Sequence, residues 1–402
     1  MFSHLLLALL CGTCAGIITG LIPGIHINLI SVIIVSISGY LLGFTAPLTL
    51  GTFIIAMAIT HTFLNIIPAV FLGAPDGDTA LGVLPGHKLL LQGKGYEAVK
   101  LNVIGSLFSL IICIAIVPLL VISIPIAYEY LKNWIGYILL AIVIIMILRE
   151  KDINKKFWAV MLFLMTGILG LIVFDINIEN GLFPMLSGLF GISMLVISIN
   201  KKTIIPEQEI TDAIKIRKSA TAKSLGSAVF SGALVSFFPG LGPAQAAVIG
   251  SELTRNLGER SFLIMLGGIN TVNMLVSMIM LYTVGKARTG SLVAVSEIIN
   301  TISMKSLLIF ICIALIVAGI ATFLALFMTK AFTKIITRIN YQFMCFLIII
   351  FIAVLSIILS GWLGLTILAV SASIGIVPNI LGIRRSHMMG CLLLPVILWF
   401  IL

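Results

Sequence analysis

The 402-residue chain is 60% hydrophobic, only 9% charged, and carries a formal net charge of +10. Its mean hydropathy of +1.26 and its recurrent apolar runs of roughly 18 residues or more exclude a soluble globular class and predict an all-α polytopic protein of the cell membrane, embedded in the lipid bilayer. The basic residues lie in short loops, where they mark membrane topology, so no nucleic-acid partner is expected.

In chain order, the first half contains apolar segments at 5–22, 27–44, 51–72, 101–122, 134–148, 157–174 and 182–199. A polar stretch over 200–223 follows and is interpreted as a cytoplasmic linker, with a surface helix as one form it could take. The second half contains apolar segments at 224–238, 243–253, 262–282, 306–328, 342–359, 362–378 and 388–402. These patterns predict roughly 10–14 membrane segments, some of them broken or re-entrant helical hairpins.

The two halves repeat one pattern of unusual residues. An offset of 216 places Pro23-Gly24 on Pro239-Gly240, and an offset of 208 places Asn65 on Asn273. We interpret 1–199 and 224–402 as two structural repeats joined by the linker. Interrupted apolar segments at matching positions in two halves are typical of the binding sites of secondary transporters.

Loop charges indicate that the repeats are inverted. The loop at 149–156 is basic and is expected in the cytoplasm, whereas its counterpart near Ser360 is uncharged and is expected outside. Arg384 and Arg385 make a second-half loop basic where the first-half counterpart, near Asp175, has no basic residue. Cytoplasmic loops carry the excess of lysine and arginine, so matching loops lie on opposite sides of the membrane.

Two Pro-Gly pairs interrupt the apolar segments, in GLIPGIHINLIS (20–31) and SFFPGLGPAQAA (236–247). Proline lacks a backbone donor, and glycine permits turned backbone. Each helix that follows would point its N-terminal N–H groups into the gap, which favours an anion. We expect two tips near the membrane centre that bind an anionic group, with ordinary turns between short spans as the alternative. Gly12, Gly16 and Gly20 precede the first tip at a spacing that permits close helix packing.

Polar residues at or near these tips are the candidate substrate-binding set. His26 could titrate beside the first tip or serve a structural role. The asparagines within apolar spans could line a cavity or bond between helices. His4 and His387 are expected at the membrane interface. The candidate substrate-binding residues are Pro23, Gly24, His26, Asn28, Asn65, Pro239, Gly240, Gly242, Pro243, Gln245, Asn270 and Asn273.

A second polar cluster covers residues 73–100 and is either a cytoplasmic loop or a segment that partly re-enters the membrane. Its charged residues and their second-half counterparts could be charge partners of an anion site, or solvated loop charges. An acidic partner would suit a coupled cation, with Na⁺ and H⁺ both open. No catalytic residue, metal site or other cofactor is expected. The candidate charge partners are Asp76, Asp78, Lys88, Lys286 and Arg288.

The segments GLIPGIHIN, SFFPGLGPAQAA and GAPDGDTALGVLPGHKLLLQGKGYEA resemble recurring segments of the large membrane subunit of tripartite tricarboxylate transporters, in its archaeal branch. The resemblance covers most of the chain. It implies a secondary transporter of di- or tricarboxylates with inverted repeats, and a small membrane subunit and an extracellular binding protein as partners. The oligomeric state is left open, with a homo-oligomer as one option. The resemblance also implies that Pro23, Gly24 and the Pro-Gly-Leu-Gly-Pro run at 239–243 are substrate-tip residues.

Other functional classes remain as alternatives. The polyprenyl-phosphate translocases have similar broken repeats, so movement of a lipid-linked phosphate headgroup is the second hypothesis. A membrane scaffold would not need two matching tips. The chain has no H-E-x-x-H, G-x-S-x-G or P-loop motif, so we do not expect an enzyme.

Overall fold

The computed structural model describes residues 2–22, 27–74, 79–131, 133–176, 178, 180–200, 206–211, 214, 216–237, 242–254, 257–299, 301–336 and 341–402. Within these residues the regular structure is entirely helical. This confirms the all-α class that the continuous apolar runs predict.

The first half is built from helices that follow the apolar segments closely. Asn65 separates α4 from α5, three residues before Pro68. Proline at that position removes a backbone donor, and this interrupts the helical ladder. The helices are α1 (Phe2–Leu21), α2 (Ile27–Ser36), α3 (Ser38–Leu41), α4 (Pro47–Leu64), α5 (Ile66–Phe71), α6 (Val83–Leu90), α7 (Gly95–Ala115), α8 (Val117–Leu131), α9 (Ile135–Leu148), α10 (Ile153–Asp175), α11 (Leu182–Leu186) and α12 (Ser193–Asn200). A 3₁₀ turn at Ala80–Gly82 precedes α6, and a π-helical turn at Ser187–Ile192 joins α11 to α12.

The second half begins with a helix that starts at Lys218, six residues before the apolar segment it contains. Its helices are α13 (Lys218–Ser236), α14 (Pro243–Thr254), α15 (Glu259–Thr283), α16 (Gly290–Ile298), α17 (Met304–Ile336), α18 (Tyr341–Leu381) and α19 (Gly390–Ile401), with a 3₁₀ turn at Arg385–Met389 before α19. The sequence did not identify α8 or α16 as separate helices.

Within the described residues, seven helices are long and apolar enough to cross a membrane, and the bent pair α8–α9 adds an eighth if it is one broken span. Two of them are 94% buried over their most apolar stretch: 47–71, which joins α4 and α5, and α15. The protein is therefore a multi-pass membrane protein whose centre is formed by one long span from each half.

The longest helix, α18, contains a sharp turn that the sequence places between the segments 342–359 and 362–378. Gly361 has φ 65° and ψ −165°, which is not helical. A Cβ on Gly364 would lie 2.6 Å from the carbonyl oxygen of Ser356, although residues eight apart in a straight helix are about 12 Å apart. The chain thus turns sharply at Gly361, and α18 consists of two helical arms joined there.

Residues 206–211 of the linker are not helical, whereas 218–223 form the largely exposed first turns of α13, so the end of the linker is a surface helix. Glu209 donates its backbone N–H to the carbonyl oxygen of Gly93 at 2.8 Å. Lys100 Nζ donates to the carbonyl oxygen of Thr211 at 3.1 Å, and the backbone N–H of Gly95 donates to Gln208 Oε1 at 2.9 Å. The linker therefore lies against the loop between α6 and α7.

Helices that match across the two halves also make matching contacts. α1 packs on α4 as α13 packs on α15, and α7 packs on α15 as α17 packs on α4. α10 packs on α19, while α18 packs on the π-helical turn and α12. These matching contacts support the two-repeat interpretation. The inverted orientation of the repeats stays a prediction.

Topology offers a direct test of that orientation. Arg384 contacts Glu150, so the loop between α9 and α10 and the loop after α18 share one face. We expect single cysteines near Lys155 and Arg384 to be labelled from the cytoplasm, and a cysteine at Ser360 to be labelled from outside. The six native cysteines are free and would be removed first. Labelling of positions 155 and 360 from the same side would contradict the inverted repeat.

Candidate functional site

The helix before the second tip is held closely against α15. Gly232 lies so near this helix that a Cβ would sit 3.1 Å from the carbonyl oxygen of Ile269. At the end of α13, Ser236 Oγ lies 2.9 Å from Asn273 Oδ1 and donates to it. Both side chains are buried. The end of α13, just before the second tip, is therefore held in place beside Asn273, one of the predicted site residues.

The helix after the second tip starts with a local cap. α14 begins at Pro243, and the backbone N–H of Gly242 donates to Gln245 Oε1 at 3.0 Å. Pro243 and Gln245 are buried. Proline at the first helical position loses no helical hydrogen bond, and the remaining N–H groups of the first turn give this end a partial positive charge. The arrangement suits a negatively charged group at the tip.

The first tip has a similar approach. Gly16 and Gly20 bring α1 onto α4, since a Cβ on Gly16 would lie 2.5 Å from Thr60 Cβ and one on Gly20 would lie 2.9 Å from Leu64 Cβ. Thr19 Oγ1 and His61 Nδ1 form a buried hydrogen bond of 3.2 Å. The Thr19–His61 and Ser236–Asn273 contacts thus fix corresponding helix ends in the two halves, although the residue types differ.

Several predicted site residues lie outside the described part of the chain: Pro23, Gly24, His26, Asp76, Asp78, Pro239 and Gly240. The backbone of Asn28 is in the first turn of α2, but its side chain is also outside the description. Asn65 and Asn270 are buried at 3% and 6% exposure, as expected for polar groups that face the protein interior.

The polar cluster at 73–100 is largely inside the protein. A Cβ on Gly82 would lie 2.6 Å from Leu266 Cδ2, and one on Gly86 would lie 2.7 Å from Val70 Cγ2. These approaches place the 3₁₀ turn and α6 between α5 and α15. The 3₁₀ turn also contacts α14, the helix after the second tip. The packing supports the partly re-entrant interpretation of this segment.

The candidate charge partners lie at opposite ends of α15. Lys88 pairs with Glu259 at the first residue of α15, whereas Lys286 and Arg288 follow its last turn. Lys286 Nζ donates to Tyr128 Oη at 2.8 Å. A helix of this length spans about 37 Å. The described charges therefore form two separate groups, one on each face.

An ionic network centred on the carboxylates of Glu150 and Glu252 joins the two halves and was missed by sequence reasoning. His387 Nε2 donates to Glu150 Oε1 at 3.0 Å, and Arg384 Nε lies 3.8 Å from the same oxygen. Arg384 Nη1 lies 3.5 Å from Glu252 Oε1, and Arg149 also pairs with Glu252. Because Glu252 is in the last turn of α14, the network connects the tip helix to loops from both halves.

Burial lowers the pKa values of two basic residues in this region, His387 and Arg385. His387 is fully buried within the protein. Burial lowers the pKa of His387, while the hydrogen bond to Glu150 opposes that shift. Burial also lowers the pKa of the neighbouring Arg385 to about 10. At neutral pH the imidazole is thus uncharged, and it donates a single hydrogen bond from Nε2 to Glu150.

The sequence carries little warning of these contacts. Glu150 lies in a basic loop and reads as an ordinary solvated charge, yet it is 7% exposed. Its partners are more than 230 residues away along the chain. The only signal in the sequence was that Glu150 lies beside basic residues at the end of an apolar segment, and this does not predict which residue it contacts.

Comparison with known proteins gives the chain's relationships. The family model described as the tripartite tricarboxylate transporter TctA family matches residues 6–390. The uncharacterized protein MJ1079 of Methanocaldococcus jannaschii is 30% identical over 412 residues, covering 99% of this chain and 98% of that protein. No solved structure matches the chain. The archaeal relative aligns nearly end to end, and the family match runs from the first span to the start of α19, so the chain belongs to the tripartite tricarboxylate transporter TctA family.

Proposed function

We propose that the chain is the permease of a secondary active transporter that moves an anionic substrate, a di- or tricarboxylate, by alternating access at its two Pro-Gly tips. Membership of a transporter family supports transport over catalysis or a scaffold role. The observation that carries the proposal is the matched pair of tip approaches, in which a closely packed helix ends at a buried polar contact just before each break.

The tip helices also pack on elements that belong to the opposite half. α2, which follows the first tip, packs on α16, and α14, which follows the second tip, contacts the Ala80–Gly82 turn. A relative movement of the halves would therefore shift both tips together. Such coupled movement is what alternating access at a repeat interface requires.

The Arg149–Glu252–Arg384 network supports a closed state on the linker face. It ties the end of α14 to the loops that precede α10 and α19. Opening of the second tip toward this face would separate Glu252 from its two arginines. The network would then act as a gate whose ion pairs break and reform in each cycle.

The chemistry of the tips supports an anion as the substrate. The first turn of α14 presents backbone N–H groups beside Gln245, and Asn273 contacts the end of the helix that precedes the same tip. Di- and tricarboxylates have several oxygen acceptors that could accept bonds from both tips at once. Either Na⁺ or H⁺ would serve as the coupling ion in this proposal.

Because the family is described as tripartite, the proposal includes two partner proteins. A small membrane subunit and an extracellular binding protein would complete the system. A homo-oligomer is a further form that the large lipid-facing surfaces of α17 and α18 could support. The polyprenyl-phosphate translocase remains the competing hypothesis, because a lipid headgroup would use the same N–H groups.

Ligand-induced stabilisation separates these hypotheses. We expect purified protein to gain thermal stability with one or more di- or tricarboxylates, because a ligand at 100 times its Kd stabilises the folded state by about 2.7 kcal/mol. Phosphate, sulfate and isoprenoid phosphates are the comparison ligands. Proteoliposomes should then accumulate the same carboxylate. Stabilisation by isoprenoid phosphates alone, without carboxylate uptake, would favour the translocase instead.

A further inference from the structure

Two cations converge on one phenol at the end of α15 that faces away from the linker. Lys286 Nζ donates to Tyr128 Oη at 2.8 Å and lies 5.0 Å from the centroid of its ring. Arg288 Cζ lies 5.4 Å from the centroid of the same ring. The aromatic ring attracts both cations, but it carries no negative charge to neutralise them.

Within the described part of the chain, no carboxylate pairs with either cation. The ion pairs of these residues connect Lys88, Arg149, Lys155, Arg260 and Arg384 to acidic partners, but not Lys286 or Arg288. The Arg288 Nε and Nη2 atoms are shielded from solvent and have no hydrogen-bond acceptor among the described residues. Shielded charged donors without acceptors are costly, and neighbouring like charges repel. The arrangement is suited to an anion that can accept several hydrogen bonds.

The position of this group connects it to the first tip. Lys286 and Arg288 lie in the turn between α15 and α16, where Gly285 has φ 70° and open space around it. α16 starts at Gly290 and packs on α2, the helix that follows the first tip, and on α4. An anion held at the start of α16 would therefore lie on a helix that packs directly against the one that follows the first tip.

We propose that Tyr128, Lys286 and Arg288 form an oxyanion-binding site on the face opposite the linker. The guanidinium of Arg288 binds the oxyanion through Nε and Nη2, in the two-bond geometry that carboxylates and phosphates share. Lys286 adds a second positive charge and is oriented by the hydroxyl of Tyr128. The contacts alone carry the site; the identification of its ligand with the transported carboxylate rests on the proposed function.

The matched variants are Arg288→Gln and, as control, Lys305→Gln. Lys305 is an exposed cation at the start of α17, so its removal changes the net charge equally without touching the site. The protein is placed in nanodiscs of pure phosphatidylcholine, and citrate binding is measured by calorimetry. In parallel, native mass spectrometry measures phosphatidylglycerol retained from mixed nanodiscs.

Arg288→Gln should weaken citrate binding by about tenfold or more, or abolish retention of phosphatidylglycerol, while Lys305→Gln should change neither. Loss of citrate binding identifies a soluble carboxylate as the ligand, and loss of lipid retention identifies a phosphate headgroup. The unliganded melting temperature of Arg288→Gln should match the wild type, and Arg288→Lys should restore part of the affinity. If Arg288→Gln keeps both wild-type citrate affinity and lipid retention, the site is refuted.

These outcomes separate the site from the proposed transport function. Wild-type protein that binds citrate through Arg288 but does not move any carboxylate would retain the site and reject the transport proposal. Normal carboxylate flux in Arg288→Gln, with unchanged binding of citrate and lipid, would reject the site and retain the transport proposal.

Discussion

Replacing Gly24 or Gly240 with valine should abolish transport and leave the protein folded. If the tips bind an anion through backbone N–H groups, a branched side chain would block close approach and would forbid positive φ. The helices that fix each tip are packed before the break, through Gly16 on α4 and Gly232 on α15. Because these contacts lie outside the two tips, we expect monodisperse protein with a melting temperature close to the wild type.

The control for this pair is Gly226→Val in α13, where an added Cβ meets nothing within 4 Å. It makes the same chemical change in a helix without touching a tip, and it should keep wild-type flux. The measurement is uptake of labelled carboxylate into proteoliposomes, with ligand affinity measured on the same preparations. Folded Gly24→Val and Gly240→Val proteins with normal flux would show that the two breaks are only turns.

Local pattern predicted the helical elements well, because each depends on residues close together in sequence. The apolar runs gave the spans, and the uncharged Ser360-Gly361 pair placed the sharp turn of α18, which needs only a local change of φ. The spacing of Gly12, Gly16 and Gly20 predicted a close helix contact, and α4 is the partner. What the spacing could not supply was the name of that partner.

Contacts between segments that are distant in sequence could not be predicted, because they depend on how the helices pack. Lys88 and Lys286 both read as charges near a break, but the length of α15 separates them in space. Glu150 and His387 read as surface residues, because burial depends on how α10, α18 and α19 pack. Tyr128 was not among the candidate residues, and only the turn after α15 brings Lys286 to its hydroxyl. In each case long-range packing, and not local propensity, decided the role of the residue.

The interface between α7 and α15 makes the strongest stability prediction, because the two helices meet backbone to backbone. A Cβ on Gly105 would lie 1.9 Å from the carbonyl oxygen of Ile264, and a Cβ on Gly267 would lie 2.1 Å from that of Asn102. Thr271 Oγ1 also donates to the carbonyl oxygen of Ser106 at 3.0 Å across the same contact. Small residues permit this approach between membrane helices, and no rotamer change can relieve a clash with a backbone oxygen.

Gly105→Ala should therefore destabilise the protein by about 3 kcal/mol, at the upper end of overpacking costs, since α7 must move away from α15. Gly319→Ala is the matched control. It lies in α17 with nothing within 4 Å of an added Cβ, so it should be neutral or stabilising by up to about 1 kcal/mol through helix propensity. The two substitutions add the same methyl group to a membrane helix, and only Gly105→Ala is expected to destabilise the protein. Thermal unfolding and monodispersity in one detergent would compare them, and equal melting temperatures would mean that α7 and α15 are not in backbone contact in the folded protein.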